Sequence, residues 1–182
     1  RTTVAHILPS YALILGEHLR NMGEDPRDFP LRIALVGAEP YTEEFRKRIE
    51  ELFDMKAYNS YGLSEMNGPG VGFECLEQNG LHIWEDAYIP EIVDPDTGEP
   101  VPDGEVGELV MTSLCRQGMP ILRYRTRDLT RFLPGECACG RAHRRMDRIL
   151  GRADDMFIIK GVNVFPSQIE TVLLNKGYPA NY

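Results

Sequence analysis

The chain has 182 residues, 42% of them hydrophobic and 26% charged, a globular balance that argues against wholesale disorder. Lys and Arg total 20 against 28 Asp and Glu, so the net charge is −8 and general binding to a polyanion such as nucleic acid is disfavoured. A small phosphorylated ligand stays compatible with that charge, because backbone N–H groups and Mg²⁺ neutralise phosphates locally.

No apolar run approaches the roughly 20 residues that cross a bilayer, so no membrane partner is expected. No basic-then-apolar signal peptide opens the chain either. The four Cys, at 75, 115, 137 and 139, form no regular disulfide framework, which points to a cytoplasmic, reducing setting with thiols free or metal-bound. The chain opens at Arg1 without Met and closes at Tyr182 soon after an amphipathic helix, so a fragment of a longer protein is expected.

Thr3 to Leu8 reads as a strand, and Pro9 to Met22 as a helix carrying Tyr11, Leu13, Ile14, Leu15, Leu19 and Met22 at helical spacing. Gly23 to Pro30 is a polar loop, and Leu31 to Val36 a mostly buried strand ending at Gly37. Thr42 is an N-cap for a helix with Phe45, Ile49, Leu52 and Phe53 on one face. A short strand, Met55 to Asn59, then enters a glycine-bearing loop. Strand, helix and strand at this spacing predict an α/β unit with parallel strands over residues 1–70, with ligands gathering at the strands' carboxyl ends near Gly37 to Pro40 and Ser60 to Glu65.

After about Gly70 the texture changes to short β-type runs, Leu81 to Trp84, Tyr88 to Val93, Glu105 to Thr112 and Leu122 to Leu133, separated by turns. A small antiparallel or barrel-like β subdomain is expected over 71–150. A third segment, 151–182, has a strand from Met156 to Lys160, a turn at Gly161, and a helix from Gln168 to Leu174 opened by Pro166-Ser167. The Asp-rich stretch Asp94 to Asp103 has the Pro and Gly content of a hairpin loop rather than the calcium-loop pattern.

Three segments carry chemistry. In Tyr58-Asn59-Ser60-Tyr61-Gly62-Leu63-Ser64-Glu65 an aromatic can lie against a flat ring, Gly62 lets backbone approach a ligand, Ser64 can bond a phosphate oxygen, and Glu65 can hold Mg²⁺. Alone, the segment reads somewhat better as a tight turn with a capping Ser64 and a first-turn Glu65. In Tyr124-Arg125-Thr126-Arg127-Asp128 the carboxylate can accept both hydroxyls of a ribose diol, or form a surface Arg–Asp pair of little energetic weight. Gly151-Arg152-Ala153-Asp154-Asp155, followed by Lys160-Gly161, reads singly as an acidic turn between domains.

The order of these segments, with Gly37-Ala38-Glu39-Pro40 ahead of them, resembles the adenylate-forming superfamily of acyl-CoA synthetases, luciferases and peptide-synthetase adenylation domains, in its phenylacetate–CoA ligase branch. Tyr61 to Glu65 is similar to the family's aromatic-Gly-x-Thr-Glu motif with Ser for Thr, and Arg127 stands where the family motif usually has Gly. The resemblance implies an α/β fold: the parallel-sheet part of a large domain, its β subdomain, and the start of a mobile C-terminal α+β domain. It further implies ATP, a small-molecule carboxylic acid and coenzyme A as ligands, with Mg²⁺ and a homodimer compatible with that reading.

By position, Gly37, Ala38, Glu39 and Pro40 would line the adenine pocket with Tyr61 beside the ring. Ser64 would touch the α-phosphate, Glu65 would hold Mg²⁺, and Asp128 would accept the ribose hydroxyls. Arg152 would contact ribose or phosphate, Asp154 would be the hinge of the small domain, and Gly161 would let the pantetheine arm of CoA pass. The aryl group would lie near Asn59, Ser60 and Gly62. The family's phosphate loop and its far C-terminal catalytic Lys are not in this sequence, so this polypeptide alone is not expected to catalyse adenylation. The same chemistry with another acid or a carrier-protein thiol, or a zinc-stapled module without catalysis, are the rival readings.

The cysteines form a separate constellation. Cys75, His82 and the knuckle Cys137-Ala138-Cys139-Gly140 supply three thiolates and one imidazole, the set of a closed structural zinc site. Reduced thiols beside a packed His would give the same sequence. Cys115 is expected to be a buried free thiol, His6 and His18 to be structural in apolar surroundings, and Trp84 to be core. His143 is a possible substitute ligand, but Arg144 and Arg145 beside it suggest a solvated face.

Overall fold

The computed structural model describes residues 2–66, 68–155, 157–159, 162–164, 166–176 and 178. The chain divides into two compact units, Arg1–Asn59 with Ser167–Tyr182, and Ser60–Pro166.

In the first unit β1 (Val4–Ile7) leads into α1 (Pro9–Asn21), and β2 (Ile33–Gly37) leads into α2 (Glu43–Phe53). Strands β1 and β2 pair in parallel, Val4 opposite Ile33 through Ile7 opposite Val36, as the strand–helix–strand spacing predicts. Pro9 starts α1, where its missing N–H costs nothing, and the Thr42 Oγ1 caps α2 by accepting from the Phe45 N–H at 3.3 Å. The α2 face of Phe45, Ile49, Leu52 and Phe53 packs into a core with Ala12, Leu13, Ala34 and Val36. A Cβ on Gly16 would sit 2.2 Å from Leu52 Cδ2, so glycine is what lets α1 lie this close to α2. The chain then enters β3 (Lys56–Leu63), whose Lys56 N–H donates to the Arg32 carbonyl at 2.9 Å. His6 and His18 are exposed, which corrects the structural role expected for them.

Up to Arg152 the second unit holds two antiparallel sheets, in agreement with the antiparallel reading of residues 71–150. The first continues from the end of β3 through β4 (Gly68–Glu74) and β5 (Leu81–Ile83). The second contains β6 (Tyr88–Val93), β7 (Gly107–Ser113) and β8 (Tyr124–Thr130). Then β9 (Phe132–Leu133) and β10 (Arg145–Met146) complete the first sheet, and β11 (Gly151–Arg152) pairs with β8 at the edge of the second. Tyr61, Met66, Val71, Leu81, Ile83, Ile92, Leu109, Met111 and Met146 form the core of this unit. Beyond β11, β12 (Phe157–Ile159) pairs antiparallel with β13 (Val162–Val164), and α3 spans Pro166–Asn175.

Asp94 behaves as a turn residue. Its Oδ1 accepts from the Asp96 and Thr97 N–H groups and the Thr97 hydroxyl, consistent with a hairpin loop. Cys115 is exposed rather than buried, and Trp84 is 36% exposed, packed edge-on between Phe73 and His143 rather than sealed in the core. Arg145 is buried and donates to the carbonyls of Asn79, Gly135 and Glu136, so only Arg144 fits the expected solvated face. No helix among the described residues is long and apolar enough to cross a membrane.

Candidate functional site

The segment expected to be a loop is mostly strand. β3 runs on to Leu63, and only Ser64–Met66 form a single 3₁₀ turn. Between the pairs Tyr61–Gly72 and Gly62–Pro69 the partner strand β4 carries two extra residues, Gly70 and Val71, a bulge made possible by Gly70 at φ 104°. A Cβ on Gly62 would lie 2.3 Å from the Gly68 carbonyl oxygen, so the close neighbour at Gly62 is the β4 backbone. The 3₁₀ turn is held from β6, where the Tyr88 hydroxyl donates to the Met66 carbonyl at 2.7 Å.

The bulge and turn place Tyr61 and Glu65 against β8. The Tyr61 hydroxyl donates to Asp128 Oδ2 at 2.7 Å, and the Tyr124 hydroxyl donates to Glu65 Oε1 at 3.3 Å. Pairing of β11 with β8 sets Arg152 opposite Asp128, with Arg152 Nη1 3.6 Å from Asp128 Oδ1. The same guanidinium donates to Asp154 through Nε and Nη2, both at 3.0 Å. Three sequence-distant segments thus put Tyr61, Asp128, Arg152 and Asp154 into one chain of polar contacts, with Tyr124 and Glu65 as a separate pair between the 3₁₀ turn and β8.

Burial raises the Asp128 carboxyl above the usual carboxylate range, against the opposing pull of the Tyr61 hydroxyl and the Arg152 charge. Burial, and then the Asp128 charge, drive the Tyr61 phenol far up, so this hydroxyl is a fixed donor at physiological pH. The bidentate Arg152 contact holds Asp154 below its ordinary value. The arrangement offers a carboxylate with vacant lone pairs, oriented by the Tyr61 hydroxyl, and a guanidinium, which suits a polyhydroxylated, phosphorylated ligand.

β8 reaches this geometry through a bulge of its own. Between the pairs Glu108–Leu129 and Val110–Arg125, β7 carries one residue, Leu109, and β8 carries three, Thr126, Arg127 and Asp128. The Glu108 side chain is fully buried; its carboxylate accepts from the Arg127 N–H at 3.1 Å and from Arg125 Nε at 3.0 Å. Thr126 Oγ1 donates to the Leu109 carbonyl at 2.9 Å and accepts from the Asp128 N–H at 3.1 Å. The sequence reading missed Glu108 and the Tyr124–Glu65 contact. A carboxylate directly ahead of the apolar run Leu109-Val110-Met111, in the same strand, is the signal that marks the first.

The remaining predicted residues lie as follows. Gly37 to Pro40 belong to the first unit, at the carboxyl end of β2, with Ala38 at φ 68° and Glu39 Oε1 accepting from the Ser10 N–H of α1 at 2.6 Å. Ser60 is buried, and its hydroxyl has no hydrogen-bond partner among the described residues. Ser64 is exposed. Gly161 lies outside the described residues.

The second cluster brings together the three Cys and one His that the sequence offers as a set. Cys75 follows β4, His82 sits in β5, and Cys137 and Cys139 lie in the turn between β9 and β10, closed by the Gly140 N–H on the Cys137 carbonyl at 3.0 Å. One ligand atom from each of these four residues lies within 4.8 Å of all the others. Cys75 Sγ is 3.7 Å from Cys137 Sγ, and Cys139 Sγ is 3.5 Å from His82 Nε2. Burial pushes the Cys75 thiol up to about 11, whereas the Arg141 backbone N–H pulls Cys139 down to about 7.

The sequence profile of the AMP-binding enzyme family matches residues 1–115, more than half the chain, and the chain belongs to that family. It is 54% identical over 175 residues to a phenylacetate-coenzyme A ligase of Thermus thermophilus, covering 96% of this chain and 39% of that protein. It is 55% identical over 166 residues to a phenylacetate-coenzyme A ligase of Escherichia coli, covering 90% of this chain and 37% of that one. Among solved structures, 2-hydroxyisobutyryl-CoA ligase in the postadenylation state with R3-HIB-AMP matches with a TM-score of 0.90 at 33% identity, over 95% of this chain and 37% of that one. The chain therefore spans about two-fifths of the length of the relatives it matches. Its mixed α/β architecture, with parallel strands in the first unit, is that of part of an adenylate-forming enzyme.

Proposed function

We propose that the whole protein is an ATP-dependent, AMP-forming acid–CoA ligase of the phenylacetate type, working in the cytoplasm. The observation that carries this reading is the convergence of Tyr61, Asp128 and Arg152 in a chain about half identical to phenylacetate-coenzyme A ligases. In the reaction a carboxylate oxygen attacks the α-phosphorus of ATP and pyrophosphate departs. The thiol of CoA then attacks the acyl carbonyl, the C–O bond to the phosphate breaks, and AMP leaves with the thioester formed.

The residues have distinct tasks in this scheme. Asp128 accepts the two ribose hydroxyls, and Tyr61 holds that carboxylate by one oxygen while its ring flanks the adenine. Gly37, Ala38, Glu39 and Pro40 line the adenine pocket. Arg152 offers positive charge to ribose or phosphate, and Ser64 donates to the α-phosphate. Glu65 would hold Mg²⁺, with one of its oxygens also accepting from the Tyr124 hydroxyl; the ion would supply charge neutralisation at the phosphates. Asp154 is the hinge between the half-reactions, Gly161 gives passage to the pantetheine arm, and Asn59, Ser60 and Gly62 adjoin the aryl group. The domain boundaries at 70/71 and 150/151 belong to the same proposal.

The four-residue cluster suits structural zinc. Metal–sulfur bonds of about 2.3 Å and metal–nitrogen bonds of about 2.0 Å define a tetrahedron with edges of roughly 3.8 Å between sulfurs and 3.5 Å from sulfur to nitrogen. The separations of 3.7 Å and 3.5 Å match those edges. Four protein ligands leave no open position, so the site would staple the β4–β5 connection to the β9–β10 turn rather than do chemistry.

The ligase reading is tested by incubating the full-length protein with ATP, Mg²⁺, CoA and phenylacetate. Equimolar AMP, pyrophosphate and phenylacetyl thioester are expected. ADP release, or AMP without thioester, contradicts it.

A further inference from the structure

Arg127 has a backbone φ of 68°, a left-handed conformation that a branched or long side chain rarely occupies unless its surroundings over-determine it. Three contacts do so. Its N–H donates to the buried Glu108 carboxylate at 3.1 Å, its guanidinium lies 3.7 Å from the same carboxylate, and its carbonyl accepts from the Ala153 N–H at 2.8 Å. The last contact is the final rung of the β8–β11 ladder, after Gly151 opposite Leu129 and Arg152 opposite Asp128. The Asp155 N–H donates back to the Arg152 carbonyl at 3.2 Å, a bond internal to the turn. The ladder thus ends one residue before Asp154.

We propose that Arg127 is a positioning residue that sets where the hinge begins, its left-handed backbone ending the β8–β11 ladder at Ala153 so that rotation starts at Asp154. This rests on the ligase reading for the meaning of the rotation, but its structural content is the Arg127–Ala153 link itself. The bulge of β8 opposite β7 takes in Thr126, Arg127 and Asp128, so the Arg127 carbonyl that meets Ala153 lies inside the irregular stretch of the strand. After the dominant Arg152 contact, the Arg127 charge also favours the ionised Asp154 carboxylate. Glu108 anchors the arrangement from the core, so the fixed side of the hinge is built on a buried group and the moving side on an exposed one.

The task divides between the half-reactions. Adenylation uses the Asp128–Arg152 arrangement, which the earlier rungs of the ladder maintain. Thioester formation needs rotation against a firm base, and that base is the Ala153–Arg127 rung. Glycine adopts the left-handed conformation without strain, so Arg127→Gly preserves the fold while removing the side-chain tie and loosening the backbone.

In the full-length protein, two readouts are taken on Arg127→Gly and Arg127→Lys: amide hydrogen exchange at Ala153, and the separate rates of adenylation and of acyl transfer from preformed phenylacetyl-adenylate to CoA. For Arg127→Gly, exchange at Ala153 is expected to speed up about tenfold and acyl transfer to fall at least about fivefold, with adenylation changed less than about twofold. Arg127→Lys retains the unaltered ratio of the two rates. Unchanged exchange at Ala153, or equal slowing of both half-reactions, overturns the proposal. Failure of the unaltered protein to adenylate any aryl acid overturns the ligase reading instead, and the hinge role with it, and is seen before any variant is made.

Discussion

The Tyr61 hydroxyl donates to Asp128 Oδ2 at 2.7 Å across 67 residues of sequence, joining the strand that carries an aromatic to the strand that carries a carboxylate. This bond leaves the remaining lone pairs of Asp128 for a ligand and fixes which way they point. It also removes a charge-bearing group partly from water, and the cost of that burial has a measurable sign.

Because burial raises the Asp128 carboxyl, its ionisation opposes folding. The stability tied to the protonated group is fully present below the unfolded carboxylate value and is lost as pH rises through the higher folded value. Asp128→Asn should therefore unfold at a higher temperature than the unaltered protein at pH 7, with the gap closing as pH falls toward about 4. Thermal melts of both proteins across that range check this. The same variant should bind AMP about ten- to a hundredfold more weakly, the loss of a charged acceptor worth roughly 1.5–3 kcal/mol.

Glu108 is fully buried with Arg125 and Arg127 as partners. Glu108→Ala leaves the Arg127 N–H without its acceptor and should destabilise the protein by about 1–3 kcal/mol. Glu108→Gln, which keeps an acceptor oxygen, should recover part of that loss. Denaturant midpoints give the comparison.

Gly62→Ala places a methyl 2.3 Å from a backbone oxygen that cannot swing aside, so β3 and β4 must separate. A loss of about 1–3 kcal/mol or more is expected. Gly118→Ala meets nothing within 4 Å and should be close to neutral, which makes it the matched control.

Purification without chelator should give one zinc per chain by elemental analysis, and Cys137→Ser should lose it and melt several degrees lower. Chelator treatment of the unaltered protein should reproduce the lower melt. A metal-free protein with an unchanged melt removes zinc from the account.

Much of the fold was legible because single-residue chemistry decides it. Pro9 and Thr42 mark helix starts by what their atoms can and cannot donate or accept, and the apolar spacing of α2 names its buried face. The four-ligand cluster was legible as well, since Cys and His in that number are seldom placed together by packing alone. Other features were not. β4 has three glycines and a proline among its seven residues, a composition that reads as loop, and only pairing with both neighbours makes it a strand. The two-residue strands β10 and β11 are too short for any periodicity. Trp84 was read as core from its apolar neighbours, but ring packing against Phe73 and His143 satisfies it at the surface. At Arg127 the family motif usually has Gly; the sequence shows that replacement, but not that Arg127 keeps a backbone suited to glycine, which depends on Glu108 nineteen positions away.

The most direct test of the central claim is acid-dependent exchange of pyrophosphate into ATP by the full-length protein, with and without Asp128→Ala. Exchange that requires phenylacetate or a close aryl acid, and that falls about a hundredfold or more in the variant, is the predicted result. Folded protein that shows no exchange with any aryl acid, or exchange untouched by Asp128→Ala, would contradict it.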